Sequence, residues 1–183
     1  TQLAQAIWAH YLSPQLASGA YAAVDATCGR GNDTVWLTAH CGRVYAFDIQ
    51  SEAIASTREA LQAQASQLAA GMRDVQVLSQ TQVHDRVHKG SDQAEAPAAL
   101  PAVTLIEDSH ANLAHYVSEP IGLIVFNLGY LPGGDKQRAT QAETTLAALQ
   151  AALDKLSVGG LLSVTMYWGH EAGKIERAAV LRW

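Results

Sequence analysis

The chain has 183 residues, of which 49% are hydrophobic and 16% are charged, and its formal net charge is −5. This length and composition favour a single globular domain over residues 1–183 and argue against an intrinsically disordered chain. The acidic balance argues against nucleic-acid binding driven by bulk charge, but it is compatible with a local basic patch.

Two further features indicate the compartment. No apolar run reaches membrane-spanning length, and residues 1–10 lack the basic and long apolar regions of a signal peptide. Cys28 and Cys41 are the only cysteines, which fits reduced thiols better than a disulfide framework. We therefore expect a cytoplasmic protein without a membrane partner.

Apolar periodicity predicts alternating helices and strands along the chain. The first elements are a helix over 1–12, a strand at about 21–25, a helix from Asn32 or Asp33, a strand at about 43–48 and a helix from Ser51 to about Ala70. The later elements are a strand at 103–107, a helix from Ser109 to Val117, a strand at 121–126, a helix that follows a capping box (Thr140-x-x-Glu143) and ends at Gly159-Gly160, a strand at 161–167 and a helix from His170 to Leu181. This alternation predicts an α/β fold in which a parallel sheet carries helices on both faces.

The stretch 71–100 fits this pattern least. Residues 74–79 are compatible with a strand, but 81–99 is polar and bounded by Ala and Pro, which is typical of an inserted loop. We therefore expect an insertion there. His84 and His88 stand four residues apart within it without a third ligand nearby, so no metal site is expected.

A glycine-rich loop follows the first predicted strand. It reads Asp25-Ala-Thr-Cys-Gly-Arg-Gly-Asn-Asp-Thr34, and Asp48 ends the next strand. The glycines let the backbone approach a ligand, the helix start offers free N–H groups, and an acid such as Asp48 accepts hydrogen bonds from ribose hydroxyls. Thr34 stands where a nicotinamide-binding loop usually has Gly or Ala, and Asp25 suits a ligand with a cationic amino-acid end, such as S-adenosylmethionine. The alternative is a tight strand–helix turn without a ligand.

A second polar segment, 127–136, follows the fourth predicted strand. In an open parallel sheet ligands bind at the carboxyl ends of the strands, so this segment should face the same crevice as the glycine loop. Asn127 can accept a hydrogen bond from a substrate amine, and Tyr130 can stack on a base. The alternative is that residues 132–134 form a simple turn and that Asn127 satisfies backbone groups.

Two more polar segments end predicted strands at this edge. Residues 108–110, Asp-Ser-His, follow the third core strand, where an acid can reach an adenine amino group. Residues 167–170, Tyr-Trp-Gly-His, follow the fifth strand, and His170 is expected to line the crevice. For His110 the alternative is a packing or helix-capping role.

Together these motifs resemble the small class I S-adenosylmethionine-dependent methyltransferases of the YtqB/MnmM type, a family also described as rRNA methylases. The matching segments are 25–34, 46–48, 108–110, 127–136 and 167–170, and the resemblance covers most of the chain. The block Asn-Leu-Gly-Tyr-Leu-Pro-Gly-Gly at 127–134 is the most specific part, since many methyltransferases share the glycine loop.

The resemblance implies a Rossmann-like, doubly wound and mainly parallel sheet with the core strand order 3-2-1-4-5. It implies S-adenosyl-L-methionine as the cofactor and a tRNA wobble uridine as the substrate, with the exocyclic amine of 5-aminomethyl-2-thiouridine becoming methylaminomethyl. Class I methyltransferases normally end with strands six and seven. The sequence stops at Trp183, so we expect these two strands to be missing.

The motifs and the resemblance assign two sets of candidate residues. The candidate cofactor-binding residues are Asp25, Thr27, Cys28, Gly29, Gly31, Asn32, Asp33, Thr34, Asp48, Ile49, Asp108, Ser109, His110 and Asn127. The candidate catalytic residues are Asn127, Tyr130, Asp135 and His170. Asn127 would orient the acceptor amine, and His170 or Asp135 would accept its proton.

A tRNA partner requires cations near the crevice. The candidates for a basic rim are Arg30, Lys136, Arg138, Lys174 and Arg177. Such a rim predicts binding that weakens steeply with salt. A homodimer is compatible with the sequence.

Three other functions are open at this point. The same chemistry could act on an amino group of rRNA or of a small molecule. A nicotinamide-dependent oxidoreductase would use a similar fold, but Asp25, Thr34 and the segment 127–136 argue against it. A non-catalytic cofactor-binding module would leave that segment without a purpose.

Overall fold

The computed structural model describes residues 2–12, 21–67, 75–79, 103–129 and 139–183, and six strands among them form one parallel sheet. The strands are β1 (Ala22–Asp25), β2 (Arg43–Asp48), β3 (Val75–Ser79), β4 (Val103–Glu107), β5 (Ile121–Leu128) and β6 (Leu156–Met166). They lie in the order β3-β4-β2-β1-β5-β6, and each neighbouring pair is parallel.

The predicted core order is confirmed. The five predicted strands are β1, β2, β4, β5 and β6, and they lie side by side in the expected doubly wound arrangement. β3 is an additional edge strand, in which Val75 pairs with Val103. Part of the stretch 71–100 is therefore sheet and not an inserted loop, and the remainder of that stretch lies outside the described residues.

β6 begins earlier than predicted. Leu156 already has an extended backbone at the end of the preceding helix, so Gly159 and Gly160 lie inside the strand rather than at the helix end. The pairing of β6 with β5 shifts register between Leu156 and Leu161, which places the glycines in an irregularity of the sheet. The prediction failed because a glycine pair is typical of helix ends and of strand irregularities alike.

Helices cover both faces of the sheet. They are α1 (Gln2–Tyr11), α2 (Asn32–His40), α3 (Ser51–Gln67), α4 (Leu113–Tyr116, preceded by a 3-10 turn at His110–Asn112), α5 (Ala142–Lys155) and α6 (Glu171–Val180). Ala23 of β1 shares a buried cluster with Trp8 of α1 and Leu37 of α2, whereas the next residue, Val24, belongs to a cluster with Leu149 of α5. Successive strand residues therefore enter opposite cores. Among the described helices none is both long and apolar enough to cross a membrane.

Thr140 links β5 to α6 and does not cap α5. The predicted capping box is wrong, because Gln141 precedes the helix and no side chain caps it. Thr140 Oγ1 accepts the backbone N–H of Gly129 at 2.9 Å and donates to Glu176 at 2.7 Å. Thr145 donates to the other carboxylate oxygen of the buried Glu176 at 2.6 Å. These bonds hold the end of β5 against α6.

Gly31 fixes the turn between β1 and α2. It precedes the first residue of α2 and has φ +81°, in the left-handed region that favours glycine. A Cβ at this position would lie 2.8 Å from the Cα of Thr57 in α3. Gly31 therefore occupies the N-cap position, and the helix begins at Asn32, as predicted.

We expect Gly31→Ala to destabilise the protein more than Gly159→Ala. Gly159 has φ +77°, and a Cβ at this position would meet nothing within 4 Å, so its substitution adds only left-handed strain. Gly31→Ala adds the same strain and the overlap with Thr57. The free energy of unfolding in urea should fall by about 1–3 kcal/mol more for Gly31→Ala. Equal losses would show that the Thr57 contact does not constrain the turn.

Candidate functional site

A cavity of about 1450 Å³ opens at the edge of the sheet where β1, β2, β4 and β5 end. The predicted cofactor-binding residues on its wall are Thr27, Cys28, Gly29, Asn32, Asp33, Asp48, Ile49, Asp108, Ser109, His110 and Asn127. Four predicted residues do not line it, namely Asp25, Gly31, Thr34 and His170. Tyr130 and Asp135 lie outside the described residues, so their roles stay predictions.

Asp25 lies beneath the cavity as a support for the glycine loop. Its side chain is fully buried, and it accepts the backbone N–H of Thr27 at 3.2 Å and the hydroxyl of Thr34 at 2.7 Å. Burial raises the pKa of this carboxyl from 3.8 to about 7, and the nearby Asp33 charge acts in the same direction. The expected direct contact between Asp25 and a cationic ligand is therefore replaced by an indirect role, in which Asp25 positions Thr27 and Thr34.

Asp48 joins the tip of β2 to the glycine loop. One carboxylate oxygen accepts the backbone N–H of Gly29 at 3.0 Å, and the other accepts that of Gln50 at 3.0 Å. Each oxygen of a carboxylate has two acceptor positions, so Asp48 can still accept hydroxyl donors from the cavity. Burial raises the pKa of Asp48, and the backbone donors from Gln50 and Gly29 oppose that shift.

Cys28 contributes an apolar part of the wall. The residue is 5% exposed, and its backbone N–H donates to the carbonyl of Phe47 at 2.8 Å. Burial raises the pKa of the thiol, and the charges of Asp25 and Asp48 raise it further. The thiol therefore stays protonated and is a poor nucleophile.

Asp108 holds its own segment together. Its carboxylate accepts the backbone N–H of Ser109 at 2.6 Å, both oxygens accept the Asn112 amide at 3.0 and 3.1 Å, and the Tyr116 hydroxyl donates at 2.7 Å. These bonds occupy the acceptor positions of both oxygens. The expectation that Asp108 reaches an adenine amino group is therefore corrected, because its acceptors are used within residues 108–116.

His110 offers the acceptor that Asp108 does not. Its Nδ1 lies 3.2 Å from the carbonyl oxygen of Ala26, so Nδ1 carries the proton and donates. Burial lowers the pKa of His110, which keeps the ring neutral and leaves a lone pair on Nε2. This Nε2 is buried and has no hydrogen-bond partner among the described residues.

Asn127 stands at the end of β5 with its amide oriented by neighbouring groups. Its backbone N–H donates to the hydroxyl of Thr27 at 2.7 Å. Its side-chain Nδ2 donates to one carboxylate oxygen of Asp33 at 2.9 Å, and Gln5 Nε2 donates to the other oxygen at 2.6 Å. The nitrogen end of the Asn127 amide therefore faces Asp33, and the carbonyl oxygen is on the opposite side.

His170 lies behind the wall. It precedes the first residue of α6, and a Cβ at Gly173 would come within 2.5 Å of its ring, so the imidazole packs closely on that helix. The expectation that His170 lines the crevice is wrong. The neighbouring residues Tyr167, Trp168 and Gly169 line it instead.

Gln2 and Gln5 of α1 are wall residues that sequence reasoning missed. The sequence predicts a helix over residues 1–12 but does not place it at the cavity. It is held near the cavity by a contact between Trp8 and Trp36, whose rings are 5.5 Å apart and edge-to-face. The only signal in the sequence is the pair of glutamines on the same side of a helix, three residues apart.

Comparison with solved structures gives the class of protein. A putative rRNA-methylase from Clostridium thermocellum superposes with a TM-score of 0.69 and 33% identity over 94% of this chain and 80% of that one. A putative methyltransferase from Streptococcus mutans, solved in complex with SAH, gives a TM-score of 0.63 and 35% identity over 93% of this chain and 77% of that one. The fold is the Rossmann-like fold of the class I S-adenosylmethionine-dependent methyltransferases.

Sequence comparison identifies the family. The family model described as "Putative rRNA methylase" matches residues 72–183, and the chain belongs to this family. A relative from Arabidopsis thaliana, the chloroplastic tRNA (mnm(5)s(2)U34)-methyltransferase, is 33% identical over 98% of this chain. The chain spans 57% of the length of that relative.

We expect Asp25 to make stability fall as the pH rises. A carboxyl whose pKa is about 7 in the fold, against 3.8 ordinarily, binds a proton on folding. This proton binding adds about 4 kcal/mol to the free energy of unfolding. The contribution is complete below pH 3.8 and is lost between about pH 4 and pH 7. From pH 5 to pH 8, the free energy of unfolding of Asp25→Asn should therefore rise relative to that of the native protein. A constant difference would contradict the raised pKa.

Proposed function

We propose that this protein transfers a methyl group from S-adenosyl-L-methionine to an exocyclic amine of RNA, namely that of 5-aminomethyl-2-thiouridine at the tRNA wobble position. The observation that carries the proposal is the Asn127 carboxamide, which is held by Asp33 at 2.9 Å beside the glycine loop. The Arabidopsis relative supports this choice of substrate by its name. An rRNA amine is the alternative acceptor, since the family description names rRNA.

The residues of the cavity fit the proposed cofactor. The unpartnered Nε2 of His110 is an acceptor suited to the adenine amino group, and the remaining acceptor positions of Asp48 suit the ribose hydroxyls. The backbone of Gly29 carries no side chain that would obstruct the methionine part. When bound, the cofactor supplies an electrophilic sulfonium methyl group.

The protein's own groups would position the acceptor amine. An Asn127 oxygen that accepts one N–H of the amine aims the nitrogen lone pair away from that bond. The amine must be neutral at the moment of attack, so a group or a water molecule must take its proton. His170 does not line the cavity, and Asp135 is the remaining predicted proton acceptor.

Exposed aromatic side chains beside the cavity suit an RNA substrate. Tyr167 and Trp168 line the opening and are 49% and 57% exposed. The Arg177 guanidinium lies 5.4 Å from the centre of the Trp168 ring, so an aromatic surface and a cation are presented together. Arg30 lies on the cavity wall, whereas Lys174 pairs with Glu171 at 3.1 Å and is a weaker member of the rim.

The test is methyl transfer from labelled S-adenosylmethionine to tRNA that carries 5-aminomethyl-2-thiouridine, with rRNA and unmodified tRNA in parallel and nucleosides identified afterwards. Label only in methylaminomethyl-thiouridine is the expected result. Label in rRNA would support methyl transfer but identify rRNA as the substrate. Binding of the cofactor without transfer to any RNA would favour a small-molecule acceptor or a binding module.

We expect Asn127→Ala to lower turnover by about 100-fold, because the amine loses both its positioning and its acceptor. The dissociation constant of S-adenosylhomocysteine should change little, since the cofactor keeps its contacts with Asp48 and His110. Asn112→Ala is no suitable control because it disturbs Asp108, whereas the exposed Asp154→Asn leaves the cavity intact. Native turnover in Asn127→Ala would remove Asn127 from the mechanism.

We expect His110→Phe to abolish recognition of the adenine amino group while it preserves an aromatic ring in the same place. The variant should bind S-adenosylhomocysteine about tenfold more weakly than the native protein. An analogue in which hydrogen replaces the adenine amino group should bind both proteins equally. Calorimetry with S-adenosylhomocysteine and with this analogue measures the difference. If the native protein and His110→Phe prefer S-adenosylhomocysteine over the analogue by the same factor, the amino group binds to another acceptor.

A further inference from the structure

The orientation of the Asn127 carboxamide depends on residues that do not belong to the segment after β5. Asn127 Nδ2 donates to Asp33, and Gln5 donates to the second oxygen of the same carboxylate. Gln5 is 28 residues from Asp33 in the sequence, and Asn127 is 94 residues from it. Three separate elements, α1, α2 and β5, therefore meet at one buried carboxylate.

Asp33 is suited to this bridging position. It is 7% exposed and lies in the first turn of α2, where the helix dipole stabilises a negative charge. A carboxylate accepts hydrogen bonds and cannot donate them when ionised, so only the NH₂ end of the Asn127 amide can face it. The charge of Asp33 thus selects one of the two orientations of that amide.

The selected orientation is the one that methyl transfer needs. The Asn127 oxygen is directed away from Asp33 and is the group that would accept an N–H of the amine. In the flipped orientation the NH₂ group would donate a hydrogen bond to the amine lone pair, which is the electron pair that must attack the methyl group. The hydrogen bond from Gln5 fixes the position of the carboxylate on its other side.

We infer that Gln5 and Asp33 are positioning residues for the acceptor amine, so that α1 is a part of the catalytic site and not only a cover for the sheet. This inference rests on the proposed methyl transfer. Asp33 acts through Asn127, and Gln5 acts through Asp33. The glycine loop motif by itself predicts instead that Asp33 binds the cofactor directly.

The first test exchanges the carboxylate of Asp33 and the carboxamide of Asn127. Asp33→Asn should lower kcat by about 10- to 100-fold, because the carboxamide loses the charge that orients it. Asn127→Asp should also lower kcat, because two carboxylates then face each other. The double variant Asp33→Asn/Asn127→Asp restores one amide donor and one carboxylate, and its second carboxylate oxygen can accept from the amine. Its kcat should exceed that of Asp33→Asn by about tenfold.

Gln5→Ala tests the contribution of α1. It should lower kcat by about threefold to tenfold while the dissociation constant of S-adenosylhomocysteine stays within about twofold of the native value. Gln150→Ala is the matched control, because Gln150 also donates to an aspartate, Asp154, but does so on the exposed side of α5. Three results would each overturn the inference. They are a native kcat in Asp33→Asn, no recovery of kcat in the double variant, and variants whose only defect is a weaker affinity for the cofactor.

A readout that needs no turnover separates this inference from the proposed function. In the native protein the side-chain NH₂ signals of Asn127 in a ¹⁵N-labelled sample should exchange slowly with water, and Asp33→Asn should shift them and speed their exchange. Gln5→Ala should produce a smaller change in the same direction. If the native protein methylates no RNA and these signals still respond to Asp33→Asn, the proposed function fails and the bridge stands. Signals that do not respond would refute the bridge.

Discussion

The parallel pairing of β1 with both β2 and β5 is the constraint on which the candidate site depends. Asp25 lies opposite Ala46 on one side and Val125 on the other, so all three strands end at the same edge. The loop after β1 therefore reaches the tips of both neighbours. Thr27 bonds to Asn127, which is 100 residues away in the sequence, and Gly29 bonds to Asp48.

The acids near this edge differ in what they can still bind. Asp25 is fully buried and Asp108 is held by donors of its own segment, so both are used to support the loops. Asp48 keeps acceptor positions toward the cavity, and Asp33 bridges Gln5 and Asn127. Residue type is the same in all four cases. The number of internal donors around each carboxylate decides which of them can meet a ligand.

The fold could be predicted from the sequence to a large extent because its signals are local. Continuous apolar runs such as 121–126 indicate buried parallel strands, and positive-φ glycines such as Gly29 and Gly31 mark a strand–helix turn. Predictions that depended on a partner far away in the sequence were less successful. Thr140 had the spacing of a helix cap, but the buried Glu176 of α6 competes for its hydroxyl. The prediction for His170 failed for a local reason, because its ring packs on Gly173 in the first turn of α6.

The sequence by itself determined the α/β class and the segments that meet at the carboxyl edge, because periodicity and turn residues are properties of short windows. The core strand order was implied by the family resemblance of its motifs. Only the tertiary structure decided which polar atoms in those segments are already satisfied. It placed Nδ1 of His110 on the carbonyl oxygen of Ala26, left Nε2 of His110 without a partner among the described residues, and brought Gln5 of α1 to Asp33. The physical reason is that hydrogen bonding in a buried site depends on distances between elements, which no single segment of the chain contains.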